Sequence, residues 1–150
     1  MGREHEHSVP RGVTPVHRLI ERGINGSLAT NNVLNPFTPF GDCSLTRMAN
    51  LYANVAQIGR PIDMELCLSL VTDRAAALMN LRDYGIALGK TADLVVLDCE
   101  DGASAVAEIA QPLMVFKRGH MTIKREKAKI LRPRLGWIPQ SFGWDANSIL

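Results

Sequence analysis

The sequence predicts an α/β fold, and three patterns in its 150 residues carry that prediction. A helical pattern leads directly into an apolar run at Ile24–Thr30, which is the order of a helix–strand unit in a parallel sheet. Apolar residues at helical spacing then dominate the stretch from residue 45 to about residue 80. The later run Ala92–Asp98 is densely apolar and contains β-branched Val95 and Val96, which is typical of a strand.

The first helix–strand unit has clear boundary signals. Thr14 can cap the helix, Pro15 suits its first position, and Gly23 suits the turn that ends it. The residues of Ile24–Thr30 include several small side chains, which favours a strand covered closely on both faces. We therefore expect a short helix followed by a buried strand, and a loop fixed by Pro36 and Pro39.

The middle of the chain is predicted to be helical. A second helix is expected over Leu45–Ile58, with Ser44 as its cap and Gly59 after its end. A third helical stretch opens at Pro61 and is apolar almost all round, so we expect it to be buried. Thr72 could break this stretch by capping a further short helix.

The last third of the chain predicts a small β unit. After the strand Ala92–Asp98, residues 103–112 read as a short helix. Residues 113–123 read as a strand, a turn at Gly119 and a second strand. The run 117–134 holds eight of the 17 Lys and Arg residues, so we expect residues 121–150 to form a basic, poorly ordered tail.

Composition bounds the class of protein and its location. The net charge is only +2, and the basic run lacks interleaved aromatic residues, so we do not expect a nucleic-acid partner. The sequence contains neither an 18-residue apolar run nor an apolar secretory leader, which predicts no membrane span. Cys43, Cys67 and Cys99 are widely spaced and form no CxxC pair, which favours reduced thiols in a cytoplasmic protein.

Three segments together resemble the cytosine-deaminase-like members of the metal-dependent amidohydrolases. RGVTPVHRLIERGINGSLATNNVLNPFTPFGD is similar to the helix, eighth strand and following loop of that family's barrel. LVTDRAAALMNLRDYGIALGKTADLVVLD and PLMVFKRGH resemble the C-terminal segments of the family. The resemblance spans about residues 2–120.

This resemblance implies a specific piece of fold. The chain is expected to be the C-terminal fragment of an amidohydrolase TIM barrel, with the last helix–strand unit, the closing helices and part of the small β domain. Residues 1–80 would form the late barrel segment and residues 81–120 the β domain. An α/β barrel needs about 200 residues or more, so this chain would not close one alone.

The resemblance also assigns the candidate site. The family's catalytic Asp after the eighth strand corresponds to Asn31, its substrate-binding neighbour to Asn32, and its pocket aromatic to Phe37. That Asp binds the metal and takes a proton from the attacking water. An Asn keeps the shape but provides neither the charge nor the basicity. Asn31 and Asn32 could instead simply cap a turn, since Asn favours such positions.

The family uses a divalent metal, zinc or iron, held largely by histidines. The pair His5-x-His7 lies in a charged stretch and not after an apolar strand, so we interpret it as part of a solvated arm. We therefore expect no metal or other cofactor in this chain alone.

Three functional hypotheses follow. The chain could be part of a hydrolase that cleaves C–N bonds other than peptide bonds in small heterocycles, and would be inactive by itself. It could be a subunit that completes a barrel supplied by another chain. It could also be a non-catalytic binding or scaffold protein with a basic tail. A strand without barrel neighbours would expose apolar surface, which predicts a homo-oligomer or a complementing barrel chain as partner.

Overall fold

Five helices and one three-stranded sheet make up residues 12–129, the part of the chain that the computed structural model describes. The sheet has the order β1-β2-β3, and both pairs of strands are antiparallel. The elements, in chain order, are α1 Val16–Glu21, α2 Leu45–Val55, α3 Pro61–Ser69, α4 Asp73–Leu78, β1 Leu94–Leu97, α5 Gly102–Ala107, β2 Pro112–Lys117 and β3 His120–Lys124.

The core lies where α2, α3 and α5 pack together. Apart from Tyr52, its buried residues have small or medium side chains, which lets the three helices approach closely. Leu70, Val106 and Cys67 are the largest side chains that are fully buried. The other members are Ala49, Tyr52 and Ala53 of α2. This cluster is the structural base on which the rest of the chain is arranged.

The helix boundaries confirm most of the sequence signals. Ser44 caps α2, because its side chain accepts a hydrogen bond of 3.2 Å from the backbone N–H of Arg47. The predicted break at Thr72 is also present, since α3 ends at Ser69 and α4 begins at Asp73. The Thr72 hydroxyl donates back to the carbonyl of Leu68 at 2.9 Å, so it closes α3 and does not cap α4.

The start of α1 differs from the prediction. Pro15 occupies the cap position, and no side chain caps the helix. Thr14 contributes only its carbonyl, which accepts from the backbone N–H of Val16 at 2.8 Å. The helix is instead fastened by His17, whose ring Nδ1 lies 2.6 Å from the hydroxyl of Tyr52.

The strand predicted at Ile24–Thr30 is absent from the described residues. A strand is defined by main-chain pairing with a neighbour, and this segment has one long-range main-chain bond, from Leu28 N–H to the Leu70 carbonyl at 3.0 Å. The prediction from its small and apolar residues was therefore wrong for this structure. No other stretch of residues 12–129 offers it a ladder partner.

The β unit follows the sequence prediction more closely. The strand predicted at Ala92–Asp98 is β1, and the predicted strand–turn–strand is the β2–β3 hairpin, with Gly119 at φ 78° in its turn. β3 carries the sheet to Lys124, past the predicted boundary at residue 120. Residues 130–150 and the His5-x-His7 pair lie outside the described residues.

None of the helices of residues 12–129 is long and apolar enough to cross a bilayer.

Candidate functional site

The candidate site is built from the segment 24–43, which runs from the end of α1 to the start of α2. Gly23, at φ 80°, ends α1 and turns the chain. Gly26 then passes so close to α1 that a Cβ atom there would lie 2.6 Å from a methyl group of Val16. The bond from Leu28 to the Leu70 carbonyl attaches the segment to the end of α3. The helical core therefore fixes where the following loop begins.

The loop after Asn32 is organised by the side chain of Asn35. Its Oδ1 accepts from the backbone N–H groups of Phe37 and Thr38, both at 3.0 Å. Its Nδ2 donates to Oδ1 of Asn32 at 2.7 Å. The backbone of Asn35 also pairs with Thr38 in an isolated antiparallel bridge. Asn and Asp commonly stabilise tight turns in this way, which explains how a proline-rich loop is held in one conformation.

The three site residues predicted from the sequence have different surroundings. Asn31 is exposed, and its side chain has no hydrogen bond within residues 12–129. Asn32 is half-buried and bound to Asn35. Phe37 projects into solvent with 78% of its surface exposed, so its ring has no stacking partner in this part of the chain. The loop thus links Asn32 to the backbone of Phe37 through Asn35, and leaves Asn31 outside that network.

Two cavities adjoin the loop. The smaller cavity has a volume of about 150 Å³, and the polar residues that line it include Asn32, Thr30 and Thr38. The larger is a mostly apolar groove of about 530 Å³ between the loop and α2. Phe40, Met48 and Leu51 line both cavities, whereas Asn31 and Phe37 line neither.

The one carboxylate of the segment 24–43 is Asp42, and its oxygens are already engaged. Oδ2 accepts from Nε and Nη2 of Arg47 at 3.0 and 2.7 Å, and Oδ1 accepts from the backbone N–H of Ser44 at 3.0 Å. The hydrogen bond from Arg47 and that from Ser44 lower the pKa of Asp42. A carboxylate stabilised as the anion is a poor proton acceptor, so Asp42 positions the start of α2 and is no candidate general base.

A divalent metal does not fit the described residues. No group of three or more His, Cys, Asp or Glu side chains in residues 12–129 is arranged to hold one. Asn31 would offer a neutral amide oxygen, which is a weak ligand. The imidazole of His17 in α1 is already bound to Tyr52. The metal centre that the family generally uses therefore has no donor set within residues 12–129.

Cysteine chemistry is likewise not supported by the geometry. Burial raises the pKa of the Cys67 thiol to about 11, so it is protonated at neutral pH and acts as a packing residue. Burial and neighbouring acids raise the pKa of Cys99. Only Cys67 is fully buried like a small hydrophobe, whereas Cys99 is half-buried and Cys43 is exposed.

Sequence reasoning missed several residues that shape the site. Thr30 donates from its hydroxyl to the Asn32 carbonyl at 3.0 Å, and Thr38 and Met48 line the smaller cavity. Leu34 and Cys43 take left-handed backbone conformations, with φ 50° and 60°, on either side of the loop. Neither residue type signals such a conformation, since Gly and Asn are the usual occupants. In the sequence, only the prolines and asparagines of the loop indicated a turn.

Comparison with known proteins shows the family to which this chain belongs. A family model described as "Amidohydrolase family" matches residues 2–128. The chain is 32% identical over 113 residues to N-isopropylammelide isopropyl amidohydrolase of Pseudomonas sp. (strain ADP), covering 75% of this chain and 28% of that protein. It is 37% identical over 94 residues to 5-methylthioadenosine/S-adenosylhomocysteine deaminase of Thermotoga maritima, covering 59% and 21%.

A solved structure is similar over most of the chain. The 5-methylcytosine deaminase from Klebsiella pneumoniae liganded with 5-fluorocytosine superposes with a TM-score of 0.79 at 32% identity, covering 88% of this chain and 32% of the deaminase. The chain thus spans less than a third of the length of these relatives. Members of the family generally use a divalent metal. From its sequence and its fold, the chain belongs to the amidohydrolase family.

Proposed function

We propose that this chain forms part of the substrate pocket of an amidohydrolase that cleaves C–N bonds in small heterocycles, and that it has no hydrolase activity by itself. The loop from Asn31 to Phe37 is the binding corner of that pocket. The observation that carries the proposal is the amide at residue 31. It stands at the start of the loop, exposed, where the resemblance of the sequence calls for a carboxylate.

Two further features support this assignment. The relatives named above include two deaminases and an amidohydrolase of small nitrogen compounds by their names. The residues beside Asn31 keep polar groups that could bind a ligand, since Asn32, Thr30 and Thr38 contribute to the lining of a small, mostly apolar cavity. Binding and positioning groups are therefore present where the proton-transfer group is not.

The proposed deficiency has two separate causes. One is the lack of a metal donor set within residues 12–129. The other is Asn31, since replacing a catalytic Asp by Asn costs about 10⁴-fold in rate where this has been measured in a serine-protease triad. The first cause can be cured by a complementing chain, and the second only by substitution.

The test separates these two causes. The full chain and its Asn31→Asp variant are each co-expressed with the remaining part of the Klebsiella pneumoniae 5-methylcytosine deaminase, and ammonia release from 5-methylcytosine is measured. We expect activity only with Asn31→Asp and the complementing part together. The matched control is Asn25→Asp, which adds the same charge at an amide that bonds the Arg74 carbonyl. Turnover by the unchanged chain alone would contradict the proposal.

A role as a barrel-completing subunit is the second candidate, and exposed apolar side chains favour it. Ile24, Leu34 and Phe40 of the site segment expose 54%, 69% and 71% of their surface. Apolar surface of this kind on one short segment is typical of an interface. The scaffold hypothesis rests on the basic tail, which lies largely outside the described residues, and stays a prediction. Salt-sensitive binding to nucleic acid that is lost on truncation after His120 would support it.

A further inference from the structure

The hydrogen bonds of Asn35 fix which end of its amide faces which neighbour. Two backbone N–H groups, those of Phe37 and Thr38, point at the same side-chain atom at 3.0 Å. Only an oxygen can accept from both, so that atom is Oδ1. The other branch of the amide is therefore Nδ2, a donor with no accepting capacity.

This orientation determines the orientation of Asn32. The atom of Asn32 that lies 2.7 Å from Nδ2 of Asn35 must be an acceptor, and it is Oδ1. The positions of the oxygen and nitrogen atoms in both side-chain amides thus follow from the two backbone N–H donors of the turn. The backbone N–H groups of the turn therefore fix the orientation of the Asn35 amide, and Asn35 in turn fixes that of the Asn32 amide. We call these linked hydrogen bonds the Asn35 relay.

The relay leaves one polar group of Asn32 over. Its Oδ1 is occupied by Asn35, whereas its Nδ2 makes no hydrogen bond within residues 12–129 and is accessible to solvent. Asn32 is half-buried and lines the smaller cavity beside Thr30 and Thr38. The hydroxyl of Thr30 is itself engaged with the Asn32 carbonyl. The Asn32 amide is therefore, beside the hydroxyls of Thr38 and Ser44, a donor at this wall that no acceptor in residues 12–129 engages.

We propose that Asn35 is a positioning residue that commits Asn32 to donate hydrogen bonds into the cavity, so that the site selects a ligand through an acceptor, such as a ring carbonyl of a heterocycle. The ligand class rests on the function proposed above. The polarity of the amide pair does not, because it follows from the turn alone.

The Asn35→Asp variant reverses this polarity with almost no change of shape. The introduced carboxylate still accepts from the backbone N–H groups of Phe37 and Thr38, so the turn is kept. A carboxylate cannot donate to Oδ1 of Asn32, and the Asn32 amide must rotate so that its Nδ2 donates to the carboxylate. The cavity then meets an oxygen, and an acceptor ligand is repelled.

The polarity is tested by NMR on the full chain, uniformly labelled with ¹³C and ¹⁵N. A scalar coupling across the hydrogen bond from Asn35 Nδ2 to the side-chain carbonyl carbon of Asn32 is expected in the unchanged protein. The side-chain amide protons of Asn35 should also exchange roughly fivefold more slowly than those of Asn32, the value of one ordinary hydrogen bond. In Asn35→Asp the slow amide protons should be those of Asn32. Slow exchange at Asn32 in the unchanged chain would overturn the assignment.

The ligand class is tested with 1,3-dimethyluracil, whose ring carbonyls accept hydrogen bonds and which has no N–H donor. Titration should shift the Asn32 side-chain amide resonances, and Asn35→Asp should weaken that binding roughly fivefold. Asn32→Asp removes the donors while keeping the bond from Asn35, and should abolish binding. Asn25→Asp is the charge-matched control, because it adds a carboxylate outside the lining of the cavity and leaves the hydrogen bonds of Asn35 intact.

The outcomes separate the two ideas. Coupling without any ligand shift would overturn the ligand class and leave the relay. Equal binding by Asn35→Asp and the unchanged chain would overturn the positioning role. Neither result depends on hydrolysis, so a failure of the proposed hydrolase function is recognised separately by the ammonia assay.

Discussion

The helical core and the site segment 24–43 lie side by side in this chain but are stabilised differently. In the core, α2, α3 and α5 bury Leu70, Val106 and Cys67 completely against one another. In the site segment, Leu34, Phe37 and Phe40 are each more than two-thirds exposed. The apolar side chains of the core are thus covered by other residues of the described chain, whereas those of the site segment are not. Within residues 12–129 the helices of the core bury one another's apolar side chains, whereas those of the site segment stay exposed.

The largest expected effect comes from breaking the core. Leu70→Ala removes a fully buried side chain and leaves a cavity, which should lower the free energy of unfolding by about 2–5 kcal/mol. Leu34→Ala, the same change in the site segment at a residue 69% exposed, should cost less than about 0.5 kcal/mol. Urea denaturation of both variants measures the difference. Similar losses in the two variants would mean that the segment is packed in solution.

The attachment of α1 to the core is the next contrast. Tyr52→Phe removes the hydroxyl that lies 2.6 Å from Nδ1 of His17. A double-mutant cycle with His17→Ala should give a coupling of about 1 kcal/mol in the free energy of unfolding. The cycle isolates the ring contact, because the backbone N–H of His17, which also donates to that hydroxyl at 3.0 Å, remains in His17→Ala. A coupling near zero would show that α1 is held by other contacts.

The exposed apolar side chains of the site segment predict that the protein self-associates. Replacing Leu34 and Phe40 by Ser removes apolar surface from the site segment, and should shift the full chain towards monomer in sedimentation velocity. Met79→Ser with Met121→Ser removes comparable exposed apolar groups elsewhere, at residues 63% and 50% exposed, and should leave association unchanged. A protein that is monomeric at every concentration before substitution would contradict the prediction.

The smallest effect concerns the N-terminus of α5, on the edge of the core. Asp101 accepts from the backbone N–H of Ser104 at 2.7 Å in a capping box, and the hydrogen bonds from Ser104 lower the pKa of this carboxyl. A pKa lowered by folding gives stability that is present above the ordinary Asp value of about 3.9 and is lost as the pH falls through the folded value.

The Asp101→Asn variant tests this sign. Asn is an equally good cap but does not titrate, so the variant should match the unchanged chain near neutral pH. It should lose less stability on acidification below about pH 4. The measurement is the melting temperature across that range. Identical pH profiles would remove Asp101 as a contributor to acid sensitivity.

The contrast between regions also explains what the sequence could predict. The caps and breaks at Ser44 and Thr72 were predictable because their causes are local. The hairpin around Gly119 was predictable for the same reason. The segment Ile24–Thr30 was predicted as a strand from its composition, but pairing depends on a neighbour, and the described residues provide none. Composition indicates burial in a sheet and cannot supply the partner.

The candidate site shows the same division. A loop after Thr30 could be anticipated from its amides and prolines, but its turn lies at residues 36–37 and is held by Asn35, not at Asn31 and Asn32. The relay from Asn35 could not, because it depends on two backbone N–H groups meeting one oxygen at 3.0 Å. The engagement of Asp42 by Arg47 was equally hidden, since it joins the loop to α2 across five positions. The resemblance of the sequence to the amidohydrolases located the site, and only the structure shows which of its polar atoms are engaged in hydrogen bonds.

The central claim is that this chain provides a binding corner without the means of catalysis. Ammonia release from 5-methylcytosine by the purified full chain, supplied with zinc or ferrous iron, tests it most directly. We expect release no faster than in the metal-only blank. Metal-dependent release that disappears in Asn31→Ala would contradict the claim, because residue 31 would then be catalytic as it stands.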